Sequence, residues 1–350
     1  MQKTSWYKRF LHDKAGPLLI LLIVLMLITM VISSGVLDGV KPFTAIFTDG
    51  FMASGNIKQL FYSMVIQIVI MCGIALVLIS GNIDLSVGAQ ATLATMIFAN
   101  LISKTSLPWG VLLVITLLIA AVFGVITSLL VNVLRFPAFI ATIGMASVYS
   151  GLCRLMNRGN NVQIIATRAQ GYLKLGNTSV FNRIPVIFLF ALLLVIVYQL
   201  ILSYTTFGRG IYMTGGNPSA ARLSGMNPGR NCMILFVNNS ILAAIGGLLW
   251  TAQLKLASPT AIAGSAPDMT VISASILGGV SFMGGAGHLG GALVALLLLN
   301  VFDNMLRVLS VPDYWTTFAA GFLLVVALII DYISNERRRK AMLISRVVRD

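Results

Sequence analysis

Apolar runs of about twenty residues recur along the whole chain, and no other property of the sequence restricts its fold so severely. In hydrocarbon a backbone must satisfy its own polar groups, so only helices and closed barrels span a bilayer, and one helical span takes about 20 mostly apolar residues. The runs lie at about 17–34, 60–80, 88–103, 108–131, 136–156, 184–204, 231–252, 268–283, 289–308 and 315–333. They predict an all-α, polytopic transmembrane helical bundle of about ten spans. The runs at 88–103 and 268–283 are short, which predicts broken or tilted helices. Composition agrees, since only 10% of residues are charged, against about 25% in soluble domains.

An even number of spans puts both termini on one side, and both are basic. Lys3, Lys8, Arg9 and Lys14 lie in the segment 1–16, and Arg337, Arg338, Arg339 and Lys340 in the tail 334–350. Positive charge is retained on the cytoplasmic side, so both termini are expected there, with the tail against anionic headgroups. The net charge of +14 therefore points to the lipid bilayer rather than to nucleic acid, for which no basic groove interleaved with aromatics is present. The length of the first run and the lack of a clear small-residue cleavage site predict a retained span rather than a signal peptide. Residues 1–350 read as a single membrane domain. One segment runs against the charge rule: the outer stretch 157–183 holds Arg158, Arg168, Lys174 and Arg183 and no acid.

Catalytic and cofactor chemistry find little support. No lysine follows a glycine, so a P-loop of the form G-x-x-x-x-G-K-[ST] is absent and the chain is expected to bind no ATP by that route. A literal G-x-G-x-x-G occurs at Gly285, Gly287 and Gly290, but apolar helical runs flank it where a dinucleotide fold needs a βαβ unit. Its glycines read better as a loop where backbones approach closely or bend between two spans. Cys72, Cys153 and Cys232 are scattered through apolar stretches and His12 and His288 are far apart, so neither a disulfide framework nor a metal site is expected. No nucleophile, base and orienting group converge, which argues against an enzyme.

Polar interruptions remain. Between Phe207 and Arg230, Asn217 suits an N-cap, Pro218 a first turn and Gly225 a left-handed exit. The intervening Ser219, Ala220, Ala221, Arg222 and Leu223 make under two turns, too short to stand alone, so the fragment docks either on its own membrane domain or on a cytoplasmic partner. In Gly81–Ala89, a carboxylate at a span centre costs about 2.5–3.5 kcal/mol on insertion scales. Asp84, with Asn82 and Ser86, is therefore expected at a boundary or in a polar crevice, where Asp84 or Ser86 caps the next helix or serves a solute pathway. Asn300, Asp303, Asn304 and Arg307 share one helical face, and Asn238, Asn239 and Ser240 lie mid-span. Each set reads as interhelical hydrogen bonding or as pathway lining, and Asp303 can pair with Arg307 within the helix.

Together these segments resemble the permease subunit of ABC importers of the ribose, xylose, galactose and autoinducer-2 family. The likeness rests on Gly81–Ala89, on Arg135–Gly144, on Phe207-Gly208-Arg209 leading to Gly215–Gly225, on Ile276–Ser281, and on the glycine run continuing to Asp331, covering about residues 60–333 in order. It implies a subunit without cofactor of its own that pairs with a second permease subunit, identical or not. It also implies a cytoplasmic ATPase that binds the ATP, an extracytoplasmic sugar-binding protein, and a place in the cell membrane. It implies that Asn217–Gly225 couples to the ATPase, although Ser219 stands where relatives commonly carry Glu. The acid-free Arg158, Arg168, Lys174 and Arg183 then suit the rim of the binding protein. The competing class, an ion-coupled transporter or channel, would place ionisable groups mid-membrane, where Asp84 and Asp303 are the candidates.

Overall fold

The computed structural model describes residues 15–34 and 49–312 apart from 166, 182, 265 and 266, with single positions between 314 and 329. Thirteen helices are ordered along the described chain: α1 Ala15–Ser33, α2 Ser54–Ile79, α3 Val87–Lys104, α4 Trp109–Asn132, α5 Ala138–Met156, α6 Gln170–Asn177 and α7 Val186–Tyr204, then α8 Thr206–Gly216, α9 Pro218–Leu223, α10 Pro228–Leu254, α11 Ala261–Gly264, α12 Pro267–Leu277 and α13 Leu289–Val308. Four two-residue strands form two antiparallel ribbons: β1 (Val162–Gln163) pairs with β4 (Leu256–Ala257), and β2 (Ser179–Val180) with β3 (Ile184–Pro185).

Among the described residues seven helices are long and apolar enough to cross a membrane: α1, α2, α4, α5, α7, α10 and α13. The run at 88–103 forms α3, whose apolar character is diluted by Gln90, Thr92, Thr95 and Asn100. The run at 268–283 yields only the 11 residues of α12, which at 1.5 Å per residue covers about half of the hydrocarbon. The run at 315–333 lies largely outside the described residues, as do the basic N-terminal residues and the tail 334–350.

Burial orders the bundle. Every residue of α2 from Ile68 to Ile79 is buried, and α3 is buried almost all round, so both are central. A helix that hides all its faces must be surrounded, and α10, α12 and α13 pack around the pair. The outer helices α1, α4, α5 and α7 present Leu27, Leu118, Ile140 and Ile196 outward, a surface matched to hydrocarbon rather than water.

The bundle has two ends. At one, the β1–β4 ribbon and α6 gather the C-termini of α3, α5 and α10; Tyr172 on α6 donates to the Leu248 carbonyl of α10. The Tyr172 phenol is pushed up from its ordinary range by burial. At the other, α8, with α9 packed on it, meets the C-terminus of α2 and the turn before α13, where the Tyr212 hydroxyl donates to the Gly287 carbonyl at 2.6 Å. Between these ends the central α2–α3 element is broken at 80–86. Beside α3, the Ala263 amide of α11 donates to Thr92 Oγ1 at 3.0 Å and Pro267 and Asp268 of α12 pack beside Gly88.

Candidate functional site

The fragment at 217–225 is built as its residues dictate. The Asn217 side chain accepts from the amides of Ser219 and Ala220 at 3.1 and 3.0 Å, and Pro218 occupies the first turn. Gly225 adopts φ +79°, its amide donating to the Arg222 carbonyl and that of Met226 to the Ala221 carbonyl. These two bonds are the paired closures of a Schellman stop, which requires a left-handed residue at that position. Ala221 alone of α9 is buried, anchoring the helix, while Ser219, Ala220 and Arg222 are exposed and Leu223 is 91% exposed. The result is a rigid six-residue knob with an apolar tip.

Behind the knob, α8 is held by backbone contact. A methyl group added at Gly215 would lie 2.6 Å from the Gly285 nitrogen, and one at Gly285 would lie 2.7 Å from the Gly216 Cα. The Gly285 amide donates to the Ile79 carbonyl at 2.7 Å, satisfying one of the end carbonyls of α2. The glycines thus allow a close approach, as the sequence suggested; the partner they approach, the end of α8, lies some seventy positions away and left no mark in the sequence.

From Ile79 the chain enters the polar break. Asp84 is 1% exposed. It accepts from the Ser86 amide at 2.9 Å, from the Ser86 hydroxyl, and from Asn239 Nδ2 at 2.9 Å; Gln90 Nε2 in turn donates to Ser86 Oγ at 2.7 Å. Asp84, Ser86 and Asn239 are thereby brought into one cluster, joined by Gln90, which sits one helical turn after Ser86. The expectation that Asp84 or Ser86 caps α3 needs correcting. Ser86 holds the N-cap position without a side-chain cap bond, and Asp84 folds back on the amide two residues ahead. The break must turn a carboxylate inward, and it does so by local closure. Gly73 makes room on α2, since a methyl there would come within 3.1 Å of the Asn239 Cα. Asn82 is half-buried beside Ser80, to which its amide donates at 3.3 Å.

The remaining polar residues stand apart from this cluster. Asn238 accepts from the Tyr198 hydroxyl across α7 and α10. Asn300 donates to Gln67 Oε1, and Asn304 exchanges two bonds of 2.9 Å with Asn56. The polar face of α13 is therefore zipped onto α2; of the partners, Gln67 is a polar position within the apolar run 60–80 and Asn56 lies just before it, and sequence reasoning passed over both. Asp303 pairs with Arg307 at 3.0 Å on an exposed surface. The basic residues Arg158, Arg168, Lys174 and Arg183 are all exposed. Arg168 also sets its Nη1 on the carbonyls of Ile102 and Thr105 at 3.2 and 3.0 Å, closing the C-terminal end of α3, where a cation complements the helix dipole. Among the described residues no group of His, Cys, Asp or Glu could hold a metal ion.

Comparison with known proteins gives this geometry a setting. The family model described as "Branched-chain amino acid transport system / permease component" matches residues 56–328. An autoinducer 2 import system permease protein of Photorhabdus luminescens is 34% identical over 79% of this chain and 81% of its own length. A galactose/methyl galactoside import permease protein of Escherichia coli K12 is 28% identical over 84% and 91%. An autoinducer 2 import permease of an Enterobacter strain is 32% identical over 85% and 82%. No solved structure matches.

Proposed function

The chain belongs to the family of branched-chain amino acid transport system permease components, and from that membership we propose that it is the membrane-spanning permease subunit of a binding-protein-dependent ABC importer for a monosaccharide or similar polar solute. The relatives named for autoinducer 2 and for galactosides favour a sugar-like cargo over an amino acid. In this reading the chain hydrolyses nothing itself. A separate cytoplasmic ATPase binds the nucleotide, a second permease subunit completes the pathway, and the assembly sits in the cytoplasmic membrane with both termini inside.

The observation that carries the reading is the α9 knob. A capped six-residue helix that buries only Ala221 and leaves Leu223 exposed at its tip gains little from burial within its own chain, and its geometry suits insertion into a groove of a cytoplasmic partner. Movement of such a docked element by nucleotide-driven closure of the ATPases would be passed to the helices behind it. At the opposite end, Arg158, Lys174 and Arg183 offer a cationic rim to an acidic binding protein.

Vesicles holding this chain, its ATPase and its binding protein are expected to accumulate labelled galactose, ribose or autoinducer 2 only with internal ATP. Leu223→Asp should abolish both ATPase retention and uptake. Uphill uptake by vesicles containing this chain alone would defeat the reading.

A further inference from the structure

Three features converge at one place in the molecule: the end of α8, the end of α2, and the turn before α13. The contact is backbone on backbone. Gly215 lies against the Ile79 carbonyl, a methyl at Gly284 would come within 2.8 Å of the Gly81 Cα, and one at Gly285 within 2.7 Å of the Gly216 Cα. Two hydrogen bonds pin the arrangement, Gly285 N–H to Ile79 O at 2.7 Å and Tyr212 O–H to Gly287 O at 2.6 Å. Close-packed interiors transmit displacement because no void absorbs it, and a joint made of main chain has no rotamers through which to yield. Five residues beyond Ile79 stands Asp84, buried and held by Asn239 of α10.

We propose that the contact of Gly215 and Gly216 with Gly81, Gly284 and Gly285 is the mechanical joint that carries movement of α8 and α9 into the Asp84 break, so that nucleotide-driven motion of the knob rearranges the interrupted α2–α3 element at the centre of the bundle. This rests on the proposed role of α9 as the element gripped by an ATPase. The glycines of the joint act through α8 and the α2–α3 break and are positioning residues. The geometry limits the effect to particular positions. A methyl at Gly215 must push α8 off α2, whereas one at Gly216 meets only the Gly285 Cα at 3.9 Å, and one at Gly144 meets nothing within 4 Å.

The test uses the full chain in lipid nanodiscs with its retained ATPase, and a cysteine at the break, Asn82→Cys, as reporter. The three native cysteines are buried, so a maleimide probe reads the introduced thiol. In the parent, ATP with vanadate is expected to change the labelling rate at least about fivefold, the lower end of usual coupling strengths. Gly215→Ala should keep the ATPase bound and hydrolysing while losing that change, and Gly144→Ala and Gly151→Ala, whose methyls meet nothing within 4 Å, should retain it. A Gly215→Ala protein that assembles and responds like the parent overturns the joint and leaves the importer reading intact. A parent that retains no ATPase overturns the importer reading itself, and the joint with it. Should Gly215→Ala fail to assemble, Tyr212→Phe decides, because it removes one hydrogen bond and adds no bulk. A diminished response supports the joint, and a response equal to the parent's overturns it.

Discussion

Asp84 accepts three hydrogen bonds, and the one from Asn239 is the bond that ties the α2–α3 break to α10. Removing one partner of a buried carboxyl leaves the desolvation cost of the other in place, about 1–3 kcal/mol and more for a charged group. Asn239→Leu is therefore expected to lower stability by about 2–3 kcal/mol, read as a fall in the thermal unfolding midpoint in detergent. Asp84→Asn should be milder. The Asn239 side chain has a buried Oδ1 with no partner, so a turn of its amide can present that oxygen to the new donor. Equal destabilisation by the two substitutions would contradict this account. The residue types here were legible in the sequence, since Asp84, Ser86 and Asn239 are polar groups within or beside apolar runs. Their meeting was not, because Asn239 lies 155 positions from Asp84 and only the packing of α10 against α2, opened by Gly73, brings them together.

At the scale of elements, α9 is stable only through its ends. Loss of an N-cap costs about 1 kcal/mol, and a Cβ in the left-handed region about 1–2 kcal/mol. Asn217→Ala and Gly225→Ala should each speed amide exchange across 219–226 by about fivefold or more, each 1.4 kcal/mol being a factor of ten. The global unfolding midpoint should not move, because only Ala221 of this helix is buried. The opposite end of the bundle offers a parallel case. Arg168→Gln removes the cation from the end of α3 and should increase exchange at 103–105. Arg168→Lys should restore most of it, since the carbonyls are reached from the single nitrogen Nη1 and an ammonium keeps the charge and three donors. Protection unchanged in Arg168→Gln would show that this guanidinium does not hold the helix end. Reading Arg168 with Arg158, Lys174 and Arg183 as one cationic face was natural from their spacing in an acid-free loop. Folding gives Arg168, itself still exposed, a second task that the spacing did not announce, because the loop crosses the end of α3 and its guanidinium meets carbonyls there.

For the whole molecule, the paired amides Asn56–Asn304 and Gln67–Asn300 join α2 to α13 in a region where apolar packing alone gives no directional preference. A double-mutant cycle on Asn56→Leu and Asn304→Leu is expected to return a coupling of about 0.6 kcal/mol, typical of interhelical bonds in membranes; a value of zero would mean that the pair does not hold these helices together. At the proposed docking rim, neutralising Arg158, Lys174 and Arg183 together should slow association of the proposed binding protein and flatten its salt dependence. Dissociation should change little, as rim charges act on encounter. Unchanged association at low salt would remove this surface from the docking face.

The amino-acid order by itself determined that the chain lies in a bilayer as helices, where α9 starts and stops, and which polar residues stand out against apolar surroundings. These are local properties: a helix in hydrocarbon satisfies its own backbone, and caps act over three or four residues. Only the tertiary structure decided that α2 and α3 lie at the centre, that α12 is half a span, and that Asn300 and Asn304 bind α2. It also decided that Gly215 abuts the end of α2 beside the Asp84 break. In an apolar solvent the inner and outer faces of a span carry much the same residue types. Which of them faces lipid and which faces another helix is therefore written in contacts between distant segments rather than in the pattern of any one of them.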